Sequence, residues 1–125
     1  MPLELGTCAS IELNVAGTDT AAAMRSGSVD VLATPRLVAL CEEATCLAVA
    51  DQLEPGQTTV GMRIQLDHLA PIKVGSTVTA EATLESIQGR RLNFLVSVND
   101  HCGLVAAGKV TRAVVELAPF MEKAR

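Results

Sequence analysis

The chain has 125 residues, 49% of them apolar, a formal net charge of −4 and only two aromatics, Phe94 and Phe120. That length predicts one domain, residues 1–125, with a core of Val, Leu, Ala and Ile, and a charged fraction of 19% argues against extended disorder. The ten Lys and Arg are scattered apart from Arg90-Arg91, so the basic stripe and stacking aromatics of a nucleic-acid binder are missing.

No apolar run approaches the roughly 20 residues needed to span a bilayer. The start Met1-Pro2-Leu3-Glu4 lacks the basic and apolar stretches of a signal peptide. Cys8, Cys41, Cys46 and Cys102 show no metal-ligand spacing and are expected to be reduced, with Cys41 and Cys46 acting as small hydrophobes in a helix. A soluble, cytoplasmic protein with no bound metal is therefore expected.

Residues Ser10 to Val15 alternate Ile11, Leu13 and Val15 against Glu12 and Asn14, which predicts a first strand. Residues Ala16 to Ala33 read as a long loop with room for one helical turn near Ala21 to Met24. Loops of that length in compact domains are usually functional, often as lids. Thr34-Pro35 then predicts a helix start, with Thr34 as the N-cap and proline in the first helical position.

The helix should run from Pro35 to Leu53, with Leu37, Leu40, Cys41, Ala44, Leu47 and Ala48 as its main apolar stripe. Val38, Cys46, Val49 and Leu53 extend that surface, so the helix should be wrapped by other elements. Glu54-Pro55-Gly56 stops it.

Only strands follow. Thr58 to Leu69 places Val60, Met62, Ile64, Leu66 and His68 on one parity, opposite Gly61, Arg63, Gln65 and Asp67. Ser76 to Gln88 turns Val78, Ala80, Ala82 and Leu84 inward; Leu92 to Asn99 does the same with Leu92, Phe94, Val96 and Val98. Gly89-Arg90-Arg91 and Asp100-His101-Cys102-Gly103 are reversals. Leu104 to Leu117 is a last strand, followed by a tail from Pro119. This order predicts an α+β fold: an antiparallel five-stranded sheet curled around one long central helix. One helix cannot cover such a sheet, so a homodimer is expected, and dimers can pair further into a tetramer.

Several positions could carry chemistry. His68 ends an apolar row, where an imidazole is either a satisfied core group or a catalyst. Glu42 and Glu43 interrupt the helix; Glu42 has Val38, Cys46 and Val49 as helical neighbours, an environment that disfavours an idle carboxylate, but periodicity does not choose between the two. Thr34 would cap the helix, and its hydroxyl would also sit where backbone N–H groups favour developing negative charge. Gly61 within a strand marks close approach of a ligand or another backbone. Arg90 and Arg91 form a solvated hairpin tip that could hold phosphates, whereas His101 reads as a surface residue.

The stretch Ala33-Thr34-Pro35, Glu42, Thr59-Val60-Gly61-Met62 and Asp67-His68-Leu69-Ala70-Pro71 resembles the fluoroacetyl-CoA thioesterase-like family of hotdog-fold proteins. Val74 to Glu81, Gly89-Arg90-Arg91-Leu92 and Thr111-Arg112-Ala113-Val114 continue the resemblance, which covers roughly residues 30–118. It implies an acyl-CoA thioesterase acting on a small or medium acyl-CoA, with catalytic residues on Thr34, Glu42 and His68. Gly61 would then lie near the thioester carbonyl, and Arg90, Arg91 and Arg112 would contact the substrate. Coenzyme A would be part of the substrate, with no resident cofactor.

The chain departs from that family in two places. Asp19 to Ala33 contains none of the phenylalanines of the specialised enzyme, which points to general thioesterase chemistry. Pro35 and Arg36 stand where the family has lighter or apolar residues. The resemblance leaves three competing classes, a non-catalytic acyl-CoA-binding module, a purely structural protein and a dehydratase or hydratase. The last would need an Asp–His pair, and Asp67 and His68 should face opposite sides of one strand.

Overall fold

The structure, a computed structural model, describes residues 3–125; Met1 and Pro2, part of the start read for a leader, lie outside the described residues. It consists of β1 (Cys8–Asn14), α1 (Thr34–Val49), β2 (Gln57–His68), β3 (Thr77–Gln88), β4 (Arg91–Asp100), β5 (Gly103–Glu116) and α2 (Leu117–Lys123). The strands form one antiparallel sheet in the order β1-β3-β4-β5-β2, with α1 packed chiefly on β1 and β3. This is the expected hotdog architecture.

The inward rows of β3 and β4 are buried as their alternation requires: Val78, Ala80, Ala82 and Leu84 meet Leu92, Phe94, Val96 and Val98 under α1. Alanines at 80, 82 and 106 leave room for the helix to approach the sheet closely, so a core with a single buried phenylalanine still closes. Among the described residues no buried side-chain nitrogen or oxygen lacks a partner, and no helix is long and apolar enough to cross a membrane.

Several local expectations are corrected. Helix α1 begins at Thr34 with Ala33 as its N-cap, so Thr34 is the first helical residue rather than the cap, and no side chain caps this end. The helix ends at Val49, where the backbone leaves the helical region (φ −115°, ψ 1°) and a 3₁₀ turn, Ala50–Gln52, carries it to Leu53. Leu47 and Cys46 are exposed while Thr45 is fully buried. Thr45 can be buried because its hydroxyl donates to the Glu42 carbonyl at 2.6 Å, which hides its polarity within the helix. The turn expected near Ala21 to Met24 is present, Met24 N–H donating to the Thr20 carbonyl at 2.9 Å, and a 3₁₀ turn at Gly17–Asp19 precedes it. The exposed helix α2 begins at Leu117, the expected end of the last strand, and takes up most of the expected tail.

The most consequential correction lies in β2. A bulge between Gly61 and Arg63 shifts the register against β5, so the facing changes there. Thr59 and Gly61 face the helix on one side of the bulge; Ile64, Leu66 and His68 do so on the other. Val60 and Met62 therefore do not share a row with His68, and Met62 is half exposed.

Candidate active site

Thr34 and His68 come together. The Thr34 hydroxyl lies 2.8 Å from His68 Nδ1, and His68 Nε2 lies 3.0 Å from the Ala70 carbonyl oxygen. A carbonyl only accepts, so Nε2 carries a proton and donates it. In the neutral ring Nδ1 is then the unprotonated nitrogen, and it accepts the Thr34 O–H. The fold sets up this contact by ending β2 at His68 beside the first turn of α1. The pair forms one wall of an open cavity of about 340 Å³, lined also by Ala21, Ser26, Val29 and Leu69.

Glu42 is elsewhere in the protomer. Its Oε2 accepts from Arg112 Nη1 at 3.1 Å, and a Cβ on Gly61 would approach that same oxygen to 2.5 Å. Gly61 is therefore a position of close approach, and what approaches it is the Glu42 carboxylate. Arg112 is 6% exposed and spends its other donors on one residue of β2. Nε donates to Thr59 Oγ1 at 2.9 Å and Nη2 to the Thr59 carbonyl at 2.9 Å. Glu43 lines the same groove as Glu42 and Arg112 but accepts from Arg36 Nη1 at 3.5 Å. Glu42 and Glu43, equivalent by periodicity, thus have different partners.

The candidate residues form two clusters at opposite ends of β2. Gly61 pairs with Arg112, which pairs with Leu92, whereas His68 pairs with Ala106. Seven strand residues separate Gly61 from His68, roughly 20 Å, and eight helical residues separate Thr34 from Glu42, about 12 Å of rise. Arg90 and Arg91 are exposed on the β3–β4 tip, at the Gly61–Arg112 end of the sheet. The Glu42 side chain also lines a groove of about 440 Å³ with Ile11, Ala39, Cys46 and Leu47.

Sequence patterning missed Thr59, whose side chain and carbonyl together orient Arg112. The alternation of β2 had placed it on the outer parity, and only the bulge turns it inward. Asp67 and His68 do face opposite sides, with Asp67 lining an outer-face groove beside Glu81 and Lys109. Burial of Cys41 pushes its thiol up from 9.0 to about 11, with the neighbouring Glu42 charge adding to the effect. The only grouping of potential metal donors among the described residues is Asp100, His101 and Cys102, on the β4–β5 turn. One Asp100 oxygen there already accepts the Cys102 N–H at 2.9 Å.

Comparison with known proteins agrees with this architecture. The family model for fluoroacetyl-CoA-specific thioesterases matches residues 15–118. A fluoroacetyl-CoA thioesterase of Streptantibioticus cattleyicolor is 41% identical over 96 residues, covering 77% of this chain and 69% of that protein. A solved fluoroacetyl-CoA thioesterase structure superposes over 100% of both chains with a TM-score of 0.91 at 30% identity. A thioesterase-superfamily protein of Thermus thermophilus superposes with a TM-score of 0.89 at 26% identity, over 97% of this chain and 90% of that one. With the family model spanning all but the chain ends, and with the hotdog fold reproduced throughout, this chain belongs to the fluoroacetyl-CoA-specific thioesterase family.

Proposed function

We propose that the protein hydrolyses small or medium acyl-CoA thioesters to the free acid and coenzyme A, using Thr34, Glu42 and His68. The observation that carries this reading is the Thr34–His68 hydrogen bond at the wall of a cavity. Glu42 either attacks the thioester carbonyl, giving a mixed anhydride that water then cleaves, or takes a proton from the attacking water. The C–S bond breaks as the tetrahedral adduct collapses; His68 in its doubly protonated form gives its Nδ1 proton to the Thr34 oxygen as the Thr34 hydroxyl gives its own to the leaving sulfur, and the water consumed in hydrolysis restores the proton to His68. Backbone N–H groups near Gly61 or the start of α1 would stabilise the oxyanion. Arg90 and Arg91 would meet the phosphates of coenzyme A, which enters as part of the substrate; the reading calls for no resident cofactor or metal.

The two clusters are too far apart within one protomer to act on one carbonyl. β2 is an edge strand whose outer side no strand among the described residues covers, and unpaired edges of this length favour pairing. Antiparallel pairing of two β2 edges about a two-fold axis would set the His68 end of one copy against the Gly61 end of the other. The active unit in this reading is a homodimer, able to pair into a tetramer, in which Thr34 and His68 of one copy face Glu42 and Arg112 of its partner. Four free thiols, one of them buried, fit a reducing cytoplasmic setting.

A panel of short, branched, aryl and long acyl-CoAs, with release of free thiol as the readout, tests the activity. Saturable binding without hydrolysis of any member would favour the acyl-CoA-binding alternative. Glu42→Ala and His68→Ala should each abolish turnover. Mixed after unfolding and reassociation, the two variants should regain about a quarter of wild-type activity, because half the dimers are hybrids with one intact site of two. No recovery in confirmed hybrids would place each site within one protomer.

A further inference from the structure

The first turn of α1, which carries Thr34, has no side-chain cap and no acidic residue of its own, yet it carries Arg36. A cation in the first turn opposes the helix dipole. Its partner comes from well upstream in the chain: Arg36 Nε donates to Asp19 Oδ1 at 3.1 Å. The other Asp19 oxygen accepts the Ala16 N–H at 2.8 Å, and the Asp19 carbonyl accepts the Ala33 N–H at 2.9 Å, immediately before Thr34. The Asp19 side chain is only 13% exposed.

Asp19 and Ala33 are also the neck of the loop that walls the cavity. Just inside them Thr20 bridges Leu32, and Ala21 N–H donates to the Val31 carbonyl at 2.9 Å. The loop beyond supplies Ala21, Ser26 and Val29 to the cavity. One residue, Asp19, therefore ties the 3₁₀ turn and the first turn of α1 through its carboxylate and the loop neck through its backbone carbonyl. Arg36 extends the tie along the helix to Glu43 at 3.5 Å.

We propose that Asp19 and Arg36 are positioning residues for Thr34: their ion pair fixes the start of α1 so that the Thr34 hydroxyl meets His68 Nδ1. This rests on the thioesterase reading of Thr34 and His68. A helix end held only by backbone bonds frays, and small displacements of a reacting group carry large rate penalties.

The test is kcat and KM for hydrolysis of acetyl-CoA, or of the best substrate in the acyl-CoA panel, by the full-length protein. Arg36→Gln and Asp19→Asn should each lower kcat about tenfold or more with little change in KM, and Arg36→Lys should restore part of the loss. In a Thr34→Ala background, Arg36→Gln should cause no further loss, since the group it positions is gone. Glu85→Gln, which breaks the exposed 4.0 Å pair with Lys109 on the outer face, should leave kcat unchanged.

Wild-type kcat in folded Arg36→Gln, or the same fractional loss with and without Thr34, would overturn the proposal. If Arg36→Gln does not fold, Asp19→Asn decides on the same terms. Amide exchange at Ala33 separates the clamp from the chemistry: exchange should quicken in Arg36→Gln. Unchanged protection overturns the clamp even if the protein hydrolyses no thioester.

Discussion

The His68 ring is held between two oxygens, the Thr34 hydroxyl 2.8 Å from Nδ1 and the Ala70 carbonyl 3.0 Å from Nε2. The carbonyl fixes the tautomer, and the tautomer makes Nδ1 the acceptor of the threonine proton. This explains how a half-buried histidine at the end of an apolar row can be fully satisfied while it and its threonine partner both line a cavity.

Thr34→Ala removes that hydroxyl without emptying a core site. We expect acyl-CoA hydrolysis to fall by about 10²-fold or more, within the range of a positioned proton-transfer group. Thr34→Ser keeps the oxygen and should retain most of the rate. Stability should change little in either variant, because Thr34 does not cap α1; thermal melts beside the rate assay check both halves of the expectation.

Gly61→Ala would place a methyl 2.5 Å from Glu42 Oε2 and 3.6 Å from Arg112 Nη1. The obstructed atom is the end of a flexible side chain, so the fold should yield locally and the melting temperature should hold. The carboxylate must leave its position, and activity should drop about tenfold or more. A large fall in melting temperature with unimpaired turnover would contradict this account.

Thr59→Val keeps shape but removes the oxygen that accepts from Arg112 Nε at 2.9 Å. A buried donor left without a partner costs about 1–3 kcal/mol, readable as a shifted denaturation midpoint. Thr59→Ser restores the acceptor and should recover most of the loss. Turnover should fall with Thr59→Val as well, since Arg112 holds Glu42 at 3.1 Å.

The folded protein holds the Cys41 proton to about pH 11, against 9.0 for an exposed thiol, chiefly because burial penalises the thiolate. The folded state therefore binds this proton more tightly than the unfolded chain does. The associated stability is full below pH about 9 and is lost as pH rises through about 11. Denaturation midpoints of the wild type should decline across that window more steeply than those of Cys41→Ala. Cys41 should also resist alkylation under native conditions where Cys8 and Cys102, both exposed, react.

Much of the architecture was legible in the residues. Strict alternation in β3 and β4 marks their inward rows because a strand with one buried face has a period of two. Thr34-Pro35 marks the start of α1 because proline's fixed φ and missing N–H suit a first turn. Legibility ended where a contact joins residues distant in sequence. The bulge after Gly61, where Met62 is left without a partner on β5, breaks the alternation of β2, and the alternating residues do not reveal that register shift. Leu47 satisfies the helical stripe yet lies exposed, because periodicity marks an apolar face without saying which neighbour covers it.

The sequence by itself determined the five strands and α1, the inward rows of β3 and β4 and the small-residue core, all local consequences of side-chain period and size. It also supplied Thr34, Glu42 and His68 as candidates through a family resemblance. Only the tertiary structure decided that Thr34 bonds to His68 while Glu42 bonds to Arg112, that Thr59 faces inward, and that Asp19 reaches the start of α1. Those relationships depend on sheet register and helix placement, which many distant contacts set together and no local pattern encodes.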